Sequence, residues 1–140
     1  MATYNKFEDF VRALGIGEHG NLNTATCKVY LTNNAPSASL DSVKADLAES
    51  VSGTGYTAGG DDSTNTYTEA SGTATFAGAD IVWTAGAADW SAHQYAVLYN
   101  DTPTSPADPL IAWWDYGSSI TLGNGETFTV DFGASIFTIA

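Results

Sequence analysis

Cysteine, basic residues and long apolar runs are all nearly missing from this chain. Cys27 is the only cysteine in 140 residues, so no intramolecular disulfide can form. Its alternation with Val29 and Leu31 reads as a small buried strand residue, not a nucleophile. Lys6, Arg12, Lys28 and Lys44 are the four basic residues, and none follows Lys44. Against them stand 16 carboxylates, 12 of them after Lys44, for a formal net charge of −12. Such a surface repels DNA, RNA and anionic lipid, which excludes those partners. The plain reading is a solvated acidic surface that keeps a crowded assembly soluble, and the rival is a cation-binding surface. No apolar run approaches a membrane span. The opening MATYNKFEDF lacks the basic-then-apolar order of a secretory signal, which predicts synthesis and folding in a reducing cytoplasm.

Chemistry-bearing motifs are also scarce. The chain contains no HExxH, P-loop, GxGxxG or GxSxG. His19 and His93, far apart and with a single cysteine, do not suggest a zinc site. Nothing singles out a serine for a Ser-His-Asp triad. Asp61 and Asp62, in GGDDSTNT, are the one carboxylate pair a glycosidase reading could use, but such a loop usually holds a solvated turn. With Ser63 and Asn65 they make a weak calcium candidate. The spacing resembles half an EF-hand loop without the glycine at six or the glutamate at twelve. The expectation is therefore a non-enzymatic protein with no cofactor and no metal.

What the chain does have is β patterning. Its length suits one domain over 1–140 with a core of its own. Charged residues make up only 14%, and Thr, Ser, Ala, Gly and Asn fill the difference, which suits strands and tight turns. TYNKFEDFVRALG carries Tyr4, Phe7, Phe10, Val11 and Leu14 at helical spacing, so residues 1–15 are expected to form an N-terminal helical arm capped by Thr3. TCKVYLTN reads as a strand, and LDSVKADLAES as a second helix near 40–51 with Leu40, Val43, Leu47 and Val51 as its stripe. The stretch 52–72 is expected to be a long loop with a short strand near Tyr67. TATFAG, ADIVWTA, QYAVLYND, LIAWWDYG, SITLGNGETFTVDF and SIFTIA then follow at strand length between turn residues. GNGE, at 123–126, is the best hairpin signal. The fold class expected is mainly β. Residues 25–140 would form an antiparallel β-sandwich or jelly-roll-like barrel, carrying the N-terminal helix and one further short helix.

Two strands break the usual alternation. QYAVLYND and LIAWWDYG are apolar on both faces, and Trp113 and Trp114 must point opposite ways. A second layer covers one face. The other is covered either by a helix of this chain or by another molecule, because exposed aromatic patches mark interaction sites.

The series YNKFEDFVRALG, CKVYLTNNAP, GTGYTAGG, YAVLYND and LIAWWDYG–ITLGNGETFTVDF resembles a set of small phage and prophage proteins encoded among virion morphogenesis genes. The likeness runs along nearly the whole chain and carries no catalytic constellation. It implies a virion structural protein, foremost a head decoration (cement) protein made in the host bacterial cytoplasm. Its partners would be the major capsid protein and copies of itself, with a trimer as one arrangement. Tyr4, Phe7, Phe10, Trp113 and Trp114 are the contact residues expected on that reading. The alternative is a receptor- or carbohydrate-binding module of a tail fibre, spike or other tail component, with Trp90 and Tyr67 as its stacking residues.

Overall fold

A computed structural model describes residues 2–87 and 90–140. Three antiparallel sheets organise the described residues. The five-stranded sheet runs β1 (Tyr4–Lys6), β8 (Leu110–Ile120), β7 (His93–Asn100), β2 (Cys27–Thr32), β3 (Asp61–Asp62). A three-stranded sheet runs β10 (Phe137–Ile139), β5 (Thr73–Ala77), β4 (Thr66–Ala70). A two-stranded ribbon pairs β6 (Ile81–Thr84) with β9 (Thr127–Val130). This mainly β, sandwich-like architecture, with one α-helix among the described residues, α1 (Glu8–Gly15), is the class the sequence predicts.

The apolar runs sit where both faces are covered. In β2, Cys27, Val29, Tyr30, Leu31 and Thr32 are all buried, and in β7 so is every residue from Ala96 to Asn100. The Tyr30 hydroxyl donates to the Leu47 carbonyl at 2.7 Å, and the Thr32 hydroxyl to the Ala48 carbonyl at 2.7 Å. The buried hydroxyls are thus satisfied without water, as burial requires. Trp83, Trp90, Phe76, Leu98 and Ile111 extend one continuous core.

Three expectations need correction. The N-terminal segment is not a helical arm. Tyr4–Lys6 is a strand paired with β8 in the register Tyr4↔Trp114, Asn5↔Trp113, Lys6↔Ala112, and the helix starts only at Glu8. The Phe7 N–H donates to the Ile111 carbonyl at 3.2 Å, so a sheet edge claims the residues that helical spacing would have wound. Thr3 therefore caps nothing.

The helix expected near 40–51 is absent apart from one 3₁₀ turn, Lys44–Asp46. One Asp46 carboxylate oxygen accepts from the Ser42 and Val43 N–H groups and from the Ser42 hydroxyl, which competes directly with a helical ladder. The segment runs along 108–110 instead, with Lys44 N–H donating to the Asp108 carbonyl and Leu110 N–H to that of Ser42. Leu47 and Val51 still reach the core, whereas Leu40 is 80% exposed.

GNGE does turn the chain, with the Glu126 N–H donating to the Gly123 carbonyl at 3.0 Å, but it joins strands that do not pair. β9 pairs with β6, because Ala85 and the turn bond each other: the Ala85 N–H donates to the Glu126 carbonyl, and the Gly125 N–H to that of Ala85.

Candidate functional site

The aromatic contact residues expected from sequence fall into two groups. Phe7 and Phe10 are buried by this chain, so their side chains are not free to meet a partner. Phe7 packs on Trp113 with ring centroids 4.6 Å apart, and Phe10 lies edge-on to Phe137 at 5.4 Å. Tyr4, Trp113 and Trp114 are half-buried. Trp114 has Tyr4 at 6.0 Å and Phe132 at 5.5 Å. Both tryptophans thus receive most of their cover from this polypeptide, each on its own face of β8.

The stacking residues of the alternative reading fare similarly. Trp90 is buried, and its indole N–H donates to the Thr54 carbonyl at 2.9 Å. Tyr67 is half-buried beside Phe76. Trp90 therefore offers no free ring face, and Tyr67 is only partly exposed.

The carboxylate loop is committed to structure. Asp61 and Asp62 pair with Val29 and Lys28 as β3. The Ser63 hydroxyl donates to the Cys27 carbonyl at 2.8 Å, and the Asn65 side-chain oxygen accepts the Cys27 N–H at 3.0 Å. Two of the four residues of the calcium candidate therefore have side chains bonded to β2. Among the described residues no group of three metal-ligating side chains gathers, and no helix is long and apolar enough to cross a membrane. Cys27 itself is sealed, and burial pushes its thiol up to about 12.

Both histidines are core residues. His19 lies against Phe10, and the Asn100 amide donates to the His19 carbonyl at 3.0 Å. Burial pulls its imidazole down to about 4. His93 sits edge-on to Phe128 at 4.7 Å, and burial lowers its pKa as well. Among the described residues His19 Nε2 and both ring nitrogens of His93 meet no hydrogen-bond partner. Protonating His19 would bury a charge whose Nε2 has no acceptor.

The consequence for stability has a definite sign. Above about pH 6.5 the imidazoles are neutral folded or unfolded, and nothing changes. As the pH falls below that, the unfolded chain binds protons that folded His19 refuses until about pH 4. Stability should drop by about 1.4 kcal/mol per pH unit across this window, roughly 3 kcal/mol in all from His19. Chemical denaturation at a series of pH values tests this, and His19→Gln should flatten the slope. A flat profile between pH 6.5 and 4.5 would refute it.

The surface feature that sequence reasoning missed is a groove of about 450 Å³ where β8 faces β9. Ala96, Trp114 and Tyr116 line it from the large sheet, Phe128 to Asp131 from the ribbon and its exit, and Gln94 and Asp115 from the rim. Tyr116 is 56% exposed and stands 5.8 Å from Phe128. Asp115 Oδ1 accepts from the Gln94 amide at 3.0 Å and the Gly117 N–H at 2.7 Å, which fixes the rim. The period-two spacing of Trp114 and Tyr116 was the available signal, but the long-range meeting with Phe128 was not.

A second concavity, of about 400 Å³, is mainly apolar, with Lys6 and Thr138 as its polar lining. Tyr4, Phe10, Val11, Leu14, Phe137 and Ile139 line it between α1 and β10. Val11 and Ile139 are both exposed there. Compared with protein-family models, with curated proteins and with solved structures, the chain matches none.

Proposed function

We propose that this chain is a non-enzymatic structural protein of a phage virion, most specifically a decoration protein of the head. It acts by burying apolar surface against the major capsid protein and between its own copies. One observation carries the reading on the structural side. Val11 and Ile139 stay exposed beside the half-buried Leu14 and Phe137, an apolar strip in one concavity whose polar lining is Lys6 and Thr138. Patches of this kind mark interaction sites. The likeness along the sequence supports the same role, and the burial of both histidines and of Cys27 weighs against catalysis by those groups.

The test uses phage heads assembled without the protein. The wild-type chain should bind them or self-associate in light scattering. A Val11→Asp/Ile139→Asp double variant should lose both while keeping its unfolding free energy within about 1 kcal/mol. A chain that is strictly monomeric and also fails to bind heads refutes the proposal. The second reading, a receptor- or carbohydrate-binding module of the tail, has the exposed Tyr116 ring beside Trp114 in its favour. Binding of a glycan that is lost on Tyr116→Ala would select it.

A further inference from the structure

We infer that the groove between β8 and β9 is a docking site for an extended, basic peptide segment of a partner protein. The inference is independent of what the protein decorates. It rests on three features that meet in one place.

The first is an open strand edge. β9 is hydrogen-bonded along one side only, to β6. Phe128, Thr129 and Val130 line the groove, and no residue of β6 does, so the groove lies on β9's unpaired side. An edge with free N–H and C=O groups is a template for an added strand.

The second is the ring set. Trp114, Tyr116 and Phe128 border the same space, and Tyr116 is largely free of cover. A guanidinium or ammonium over such faces gains from the ring quadrupole, most when water is excluded.

The third is unbalanced charge. Asp115 and Asp131 line the groove, and no lysine or arginine does. Ala2 also borders the groove, and the chain's basic side chains lie elsewhere. Arg12 pairs with Asp9 and Glu18, Lys28 with Asp101, and Lys44 stands near Glu49 over the Tyr30 ring. Lys6 lies at the other concavity. Among the described residues neither Asp115 nor Asp131 has an ion-pair partner. A neutral ligand such as a sugar would use the rings and leave these charges uncompensated. An extended segment bearing Arg or Lys at alternate positions uses rings, charges and strand edge together, since alternate side chains of a strand point the same way.

The test takes the full-length chain and a capped peptide of about eight residues, a usual strand length, that alternates arginine with valine and threonine. Two control peptides replace arginine by citrulline or by glutamate. Amide NMR shifts read the site. The arginine peptide should bind, weaken with added salt, and move resonances of residues 114–116 and 128–131. The citrulline peptide should bind at least about fivefold more weakly, and the glutamate peptide weaker still. Asp131→Asn and Tyr116→Ala should each cost roughly three- to tenfold in affinity, with the fold intact. Equal binding of the citrulline peptide overturns the proposal. So does the absence of binding by the arginine peptide up to about 1 mM, or capture of a neutral oligosaccharide in the groove when the arginine peptide fails to bind.

Discussion

Gly60→Ala is expected to abolish stable folding or to cost about 4 kcal/mol or more. Gly60 has φ +79°, and a Cβ there would sit 1.8 Å from the Val29 carbonyl oxygen and 2.8 Å from the Tyr30 Cα. Those are backbone atoms of β2, a strand held between β7 and β3, and they have nowhere to go. Moving the loop instead is equally costly. The Tyr99 hydroxyl donates to the Gly59 carbonyl at 2.7 Å, and the Gly59 N–H donates to the Glu49 carboxylate at 3.0 Å. Glu49 also holds the Tyr56 hydroxyl, which accepts the Leu31 N–H at 3.0 Å. A shift of this loop by even a bond length would break that chain of contacts and strand buried polar groups. Gly72→Ala is the matched control. It too has positive φ, +83°, but a Cβ there meets nothing within 4 Å, so only the backbone penalty of about 1 kcal/mol applies. Denaturant unfolding of the two variants side by side is the measurement. Comparable losses would show that the contact between loop and β2 is looser than the structure has it.

The strands were legible because burial on both faces leaves a local mark. Cys27 to Thr32 and Ala96 to Tyr99 are apolar or small at nearly every position, and the structure seals both. What was not legible is competition between distant partners. The stripe Leu40, Val43, Leu47, Val51 has helical spacing, yet the Asp46 side chain and the backbone of 108–110 take the N–H groups a helix needs. Tyr4 and Phe7 also have helical spacing, yet the β8 edge recruits Tyr4 to Lys6 as a strand. GNGE has the local chemistry of a turn but does not close a hairpin, since strand pairing depends on where β6 lies. The groove at Trp114, Tyr116 and Phe128 depends on the same long-range placement of β9, so its residues could not be grouped from sequence.

Phe7→Ala separates two roles that the sequence left superposed. If Phe7 met a capsid partner, its loss would weaken assembly and leave the isolated chain as stable as before. The structure assigns it to the core: Phe7 is fully buried, with its ring 4.6 Å from that of Trp113. Truncating such a ring removes its transfer free energy and leaves a cavity that β1 and α1, joined at this residue, can close only by leaving β8. The expected loss is about 3–5 kcal/mol, which for a chain of this size lowers the thermal midpoint by on the order of 10–15 °C. Phe7→Leu should keep much of the volume and lose less. The pairing with Trp113 can be isolated by a double-mutant cycle with Trp113→Ala, where a coupling of about 0.5–1.5 kcal/mol is expected for a tilted aromatic pair. A Phe7→Ala protein within about 1 kcal/mol of the wild type would mean that the N-terminal strand is not the cover of Trp113. The second face of β8 would then need an outside molecule to shield it. The expected large loss instead means that this chain covers Trp113 itself, and it leaves the Val11/Ile139 strip and the β8–β9 groove as the surfaces on which assembly has to be sought.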